Sequence, residues 1–201
     1  MLIASSRTFT AANEIGANTM LVRVGALYHD IGKMKNPTYF SENQLTGINA
    51  HDELSPKESA KIIINHVIDG IELAKKNNLP DRVIDFIRTH HGTITVYYFY
   101  NKQVELNLDF EANDFSYNGP KPFNKETAIL MMCDSVEAAS KSLKEPNSTK
   151  INDFVDAIIS KQMDSDQFLN ADITLKEIQS IKKVLKQKLA NMFHLRIEYP
   201  D

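Results

Sequence analysis

Six residues carry the side chains best suited to grip a metal ion: the neighbours His29 and Asp30, then His66, the neighbours His90 and His91, and Asp134. Neutral imidazoles and carboxylates hold divalent first-row metals in mixed nitrogen and oxygen sites, with positions left open for water and substrate. Four histidines and two aspartates exceed the needs of one ion and suffice for two ions that share a bridging carboxylate. Two such ions, roughly 3.5–4 Å apart, lower the pKa of a water between them and neutralise a phosphate during in-line displacement. The chemistry this set implies is phosphoester hydrolysis. No Ser-His-Asp ordering, nucleotide-binding glycine loop or Cys-His pair competes with it.

Each of these residues has a plainer use when taken alone. A single histidine such as His66 is most often hydrogen-bonded and structural, and His90-His91 would complement a helix C-terminus. Asp134 differs, because a carboxylate among Met131, Met132, Cys133 and Val136 is costly to bury without a partner. The set as a whole outweighs its separate readings. His51-Asp52 repeats the His-Asp pair, but just ahead of the Ser55 helix cap, where Asp52 reads as a turn residue and the pair stays outside the ligand set. His194 has no acidic neighbour placed to help it and reads as structural, and Cys133 reads as a small buried apolar residue.

The elements that position these residues read as helices. Neighbouring residues on a helix point about 100° apart, so both histidine-containing pairs belong at helix ends. Apolar residues from Leu2 to Ile15 give a first helix closed by Gly16, and Asn18 caps a second whose stripe runs to Gly32, with His29 and Asp30 in its last turn. Residues 33–54 form a long polar loop with Tyr39 and Phe40 in it, and long loops are often functional. Ser55-Pro56-Lys57-Glu58 is a capping box that opens a helix through His66 to Asn77-Asn78, with Gly70 a candidate kink. Pro80 opens the next, which ends at His90-His91-Gly92. Thr93 to Tyr100 favours a strand on propensity alone. After a loop with breakers at Asn118-Gly119-Pro120, Asn124 caps the helix carrying Asp134. A helix from Ile151 to about Met163 follows, and the Thr174-Leu175-Lys176-Glu177 capping box starts the last one, which reaches about Phe193.

Composition narrows the partners. With 201 residues and no Pro/Gly/Ser-rich linker, one domain is expected. Apolar residues at 42% and charged residues at 24% are those of a globular chain with a sizeable core. A net charge of -3 disfavours a partner as anionic as duplex DNA. The single cysteine excludes a disulfide framework or thiolate zinc cluster and fits a reducing compartment. The longest apolar stretches fall far short of the roughly 20 residues of a membrane helix.

The residues above resemble the HD superfamily of metal-dependent phosphohydrolases, whose signature is a His, a His-Asp pair and a later Asp on a helical scaffold. Longer blocks sharpen the likeness: Leu21-Val22-Arg23-Val24-Gly25-Ala26, Tyr28-His29-Asp30-Ile31-Gly32-Lys33-Met34-Lys35, Glu42-Asn43-Gln44, Asp69-Gly70, His90-His91-Gly92-Thr93 and Asp134-Ser135-Val136-Glu137-Ala138-Ala139. They are similar to the cytoplasmic HD domain of the bacterial seven-transmembrane HD phosphodiesterases, which hydrolyse cyclic di-AMP to pApA. The resemblance implies an all-α fold, an HD-domain helical bundle over residues 1–201 truncated at its N-terminus, with Thr93 to Tyr100 helical rather than a strand. It implies two divalent ions, iron or manganese, with His29, Asp30 and Asp134 on one, His66, His90 and His91 on the other, and Asp30 bridging. It implies a cytosolic domain of an inner-membrane protein. Lys33 is the expected phosphate contact and acts with Asp30 in catalysis, and Tyr39, Phe40, Tyr97 and Tyr98 are candidates for stacking on adenine. The family's first ligand histidine aligns at or just before Met1, and residues 1–28 contain none. The alternative is therefore a degenerate HD domain that binds nucleotide or metal as a non-catalytic sensing module.

Overall fold

The computed structural model describes residues 2–44, 49–106 and 109–194. The side chains of residues 2–5 and of His194 fall outside that description, and with them the structural role expected of His194. Among the described residues the fold is all-α with no strand. The helices are α1 (Leu2–Glu14), α2 (Thr19–Tyr28), α3 (Pro56–Lys76), α4 (Asp81–Thr89), α5 (Tyr97–Glu105), α6 (Lys125–Ser140), α7 (Ser148–Asp164) and α8 (Leu175–His194). Three short 3-10 helices supplement them at Ile31–Lys35, Pro37–Tyr39 and Ala112–Phe115. None of the helices is long and apolar enough to cross a membrane.

The chain divides into two compact units. One comprises residues 1–27 with 122–201, and its helices α1, α6, α7 and α8 pack on one another. At its centre α6 buries an unbroken run from Thr127 to Cys133, as expected of a helix covered on every side. Its starts are the ones the sequence marks. The Asn18 side chain accepts the Leu21 N–H at 3.0 Å, Asn124 and Thr127 form a reciprocal cap, and Glu177 accepts the Thr174 N–H at 2.7 Å. Arg7 is buried on α1, where its guanidinium lies 3.7 Å from Glu137 of α6 and 3.0 Å from the Met192 sulfur of α8.

The other unit, residues 28–121, is built on α3. Ser55 and Glu58 cap that helix reciprocally, and it runs unbroken for 21 residues. Ala60, Ile64 and Val67 pack with Phe99, Phe115 and Tyr117, while Ala74 packs with Ile84 and Ile87 of α4.

Two details depart from what local pattern and propensity favour. The second helix stops at Tyr28 rather than Gly32, and residues 31–35 tighten into a 3-10 turn pressed against α3. A Cβ on Gly32 would come within 1.8 Å of the His66 carbonyl oxygen and 2.5 Å of the Gly70 nitrogen, so only glycine lets the chain pass there. Gly70 lies inside an unbroken α3, and its backbone is part of the surface on which Gly32 rests. The strand favoured over Thr93 to Tyr100 is absent. Thr95 makes an isolated antiparallel bridge to Ser116, and the aromatic residues from Tyr97 onward enter α5. Propensity for a strand reflects packing on a sheet, and no sheet is present among the described residues to receive this segment.

Candidate metal centre

The unit built on α3 gathers five of the six sequence-marked ligands. His66 projects from the middle of α3, and His90 and His91 follow the last turn of α4 at the point where Gly92, with φ +50°, turns the chain away. His29 and Asp30 lie between α2 and the 3-10 turn. Both histidine-containing pairs therefore sit at helix ends, as the spacing requires.

His66, His90 and His91 offer nitrogens that all lie within 4.8 Å of one another. The ring orientations follow from the backbone. The Nδ1 atoms of His66 and His90 lie against the carbonyl oxygens of Ile63 and Ile87, each three residues earlier in the same helix. A carbonyl oxygen only accepts, so both Nδ1 atoms carry the proton and a neutral ring presents a bare Nε2. These two Nε2 atoms are 3.1 Å apart, and they lie 3.4 Å (His66) and 3.6 Å (His90) from Asp30 Oδ1. Asp30 Oδ1 is buried and meets no geometric hydrogen bond. Three acceptor atoms thus face one another with no proton among them, an arrangement that calls for a cation. The centre of a triangle with those sides lies about 2 Å from each corner, close to the roughly 2.0–2.2 Å of metal bonds to imidazole and carboxylate. The Nδ1 hydrogen bonds to backbone carbonyls are the kind of outer support that fixes ligand imidazoles.

The other carboxylate oxygen, Asp30 Oδ2, lies 3.2 Å from His29 Nε2 and 2.8 Å from Lys33 Nζ. Lys33 in turn reaches Glu42 Oε1 at 2.7 Å. Burial pushes the Asp30 carboxyl up, yet the neighbouring His29, and then His66 and His90, outweigh it and hold the group well below the usual carboxylate range. Burial likewise pulls Lys33 down, and Asp30 and Glu42 more than reverse that, so it stays an ammonium. Burial, and then the neighbouring imidazoles, push His90 and His91 below the ordinary histidine value and keep both neutral, as ligands must be.

The aromatic candidates are spread around this unit. Phe40 is buried with its ring edge-to-face against His66 at 5.6 Å, and Lys33 lies over it at 5.2 Å. Tyr39 is half-buried, and its carbonyl oxygen is 2.9 Å from His51 Nε2. His51 therefore holds Tyr39, and Asp52 accepts from Asn49 at 2.9 Å in a turn. Tyr97 and Tyr98 are exposed on α5. Asp134 lies half-buried on α6, in the unit of residues 1–27 and 122–201.

Two contributors escaped the sequence reading. Tyr117 stacks on His91 with ring centroids 4.2 Å apart, and Glu42 anchors Lys33. Nothing in the spacing of Tyr117 sets it apart. Glu42 falls in the Glu42-Asn43-Gln44 block but has no periodic partner that would mark it.

The model of the HD domain matches residues 5–139. The chain is 49% identical over 190 residues to the cyclic-di-AMP phosphodiesterase PgpH of Listeria monocytogenes serotype 1/2a, covering 94% of this chain and 26% of that protein. It is 44% identical over 191 residues to the PgpH of Bacillus subtilis strain 168, covering 95% of this chain and 27% of that one. The chain thus spans about a quarter of the length of the curated relatives it matches. It also superimposes on the crystal structure of the L. monocytogenes PgpH HD domain in complex with cyclic di-AMP, with a TM-score of 0.91 and 46% identity over 94% of this chain and 89% of that one.

Proposed function

The chain belongs to the HD domain family, and from that premise we propose that it is a metal-dependent phosphodiesterase domain that hydrolyses cyclic di-AMP to pApA. The observation that carries the reading is the convergence of His66 Nε2, His90 Nε2 and Asp30 Oδ1 as three bare acceptors in one buried spot. Bound there, divalent ions supply Lewis acidity, acidifying water to a nucleophile near neutral pH and screening the charge of a phosphodiester. His66, His90 and His91 hold one ion in this proposal. His29, Asp30 and, on the strength of its motif, Asp134 hold a second, with Asp30 shared and iron or manganese as the metal.

The protein's own groups do the rest. His66 and His90 are aimed by their backbone carbonyls and need no reorganisation when the ion arrives. Lys33, kept cationic by Asp30 and Glu42, offers an ammonium beside the reacting phosphate, and Tyr39, Phe40, Tyr97 and Tyr98 are the ring surfaces proposed for the adenines. The resemblance also carries the proposal that the domain works on the cytosolic side of a larger membrane-tethered protein.

The test is metal analysis of the purified chain together with chromatography of cyclic di-AMP digests in manganese buffer, repeated for His66→Ala and Asp30→Ala. Loss of both metal and pApA in the variants is expected. Turnover unchanged in both would remove the mechanism, and binding of cyclic di-AMP without product would assign the chain to non-catalytic sensing.

A further inference from the structure

The unit comprising residues 1–27 and 122–201 carries a groove that the proposed hydrolysis does not use. It runs between α7 and α8, with a volume of about 570 Å³, within the roughly 300–1,000 Å³ of small-molecule sites. Along α8 the lining residues recur at helical spacing, with Lys182, Lys183 and Lys186 on the groove wall, and α7 contributes Ser148 and Asn152. The wall is therefore basic and amide-rich in a chain whose net charge is -3.

The arrangement of these lysines is unusual. Lys182 keeps only 6% of its surface exposed, although lysine is almost never so buried unless paired. Its Nζ lies 3.3 Å from Asp156 Oδ1, while Lys186 takes the other oxygen of the same carboxylate at 2.7 Å. One carboxylate thus serves two ammoniums, and Lys183 adds a third cation to the same wall. The groove holds an excess of positive charge at a place where Lys182 has already given up its water. Desolvated charge that lacks a full counter-charge is costly, and an anion entering from solvent would supply it. Lysine binds phosphate as a compact point charge, and the side-chain amides and hydroxyl of the wall suit the polar remainder of such a molecule.

We propose that the α7–α8 groove is a second binding site, which takes a soluble phosphorylated small molecule with its phosphate groups on Lys182, Lys183 and Lys186. The groove is built within one unit of the chain.

Inorganic pyrophosphate is the probe. Calorimetry on the full chain should show saturable binding that weakens with added salt. The Lys183→Gln/Lys186→Gln pair, both far enough from full burial to fold, should lose at least tenfold in affinity, whereas Lys61→Gln on the exposed side of α3 should lose none. Asp156→Asn should bind pyrophosphate more tightly, because a competing carboxylate is neutralised. The absence of binding at millimolar pyrophosphate, or equal losses in the lysine pair and in Lys61→Gln, would overturn the proposal. So would sedimentation with vesicles of phosphatidylglycerol and phosphatidylcholine by a protein that ignores pyrophosphate, which would give the phosphate chemistry to a lipid headgroup. None of these substitutions touches the metal ligands, so hydrolysis of cyclic di-AMP reports separately on the reading given above.

Discussion

Lys33 bridges Asp30 and Glu42, with its Nζ 2.8 Å from Asp30 Oδ2 and 2.7 Å from Glu42 Oε1. Its ammonium is thereby fixed next to a carboxylate whose other oxygen faces the bare nitrogens of His66 and His90. A cation held this way costs no rearrangement when a phosphate approaches, and preorganised charge of that kind is worth about 10²–10³ in rate where it has been removed from other sites. Lys33→Met is therefore expected to keep its metal and to lose about that factor in kcat for cyclic di-AMP. Steady-state kinetics alongside metal analysis checks it, and a variant that keeps wild-type kcat would strip Lys33 of its role.

The three converging acceptors predict that metal and stability are linked. A ligand that binds only the folded state stabilises it by about 2.7 kcal/mol at a hundred times its Kd. Adding manganese to chelator-treated protein should raise the melting temperature, and His90→Ala should abolish most of that rise. Differential scanning calorimetry with and without manganese measures both. Equal shifts in the parent and the variant would place the ion elsewhere.

How much of this was legible beforehand depends on the range of the interaction. Caps are written within four residues, so Asn18, Ser55, Asn124 and Thr174 all mark helix starts that the structure contains. The candidate ligands were legible too, because His29-Asp30 and His90-His91-Gly92 are local patterns. What spacing could not convey was contact between distant segments. Gly70 reads as a weak point of a helix until Gly32 is seen against it, and Tyr117 reads as an ordinary loop aromatic until it is seen on the face of His91. The Thr93 to Tyr100 segment went to a helix because strand propensity needs a neighbouring strand to act on.

The start of α8 predicts a pH response. Glu177 accepts the Thr174 N–H at 2.7 Å and pairs with Lys125 at 2.6 Å, and the Lys125 hydrogen bond is the main reason its pKa falls to about 2. A carboxylate whose folded pKa is depressed adds stability above its unfolded value of 4.5 and loses it as the pH falls toward about 2. Denaturant unfolding between pH 5 and pH 2 should therefore lose stability more steeply in the parent than in Glu177→Gln. Parallel slopes would show that the capping carboxylate does not titrate with folding. Thr174→Ala should cost about 1 kcal/mol at neutral pH by removing the other half of the cap.

The approach of Gly32 to the backbone of α3 gives a sharp stability contrast. A methyl at Gly32 would meet the His66 carbonyl oxygen at 1.8 Å and two Gly70 backbone atoms within 3 Å, all of them fixed in the middle of α3. A methyl at Gly70 would meet first the Ile87 Cγ2 at 2.9 Å, a side-chain atom rather than backbone, and the Gly32 nitrogen only at 3.3 Å. Overpacking costs typically about 1–3 kcal/mol and more where nothing can yield. Gly32→Ala is expected at or above the top of that range and Gly70→Ala near the bottom. The first should also release metal, because the 3-10 turn that Gly32 seats against α3 begins directly after Asp30, whose Oδ1 must stay near His66 and His90. Chemical denaturation and metal content of the two variants measure this. If Gly32→Ala proved as stable as Gly70→Ala and kept its metal, the packing of the 3-10 turn on α3 would not be what places Asp30.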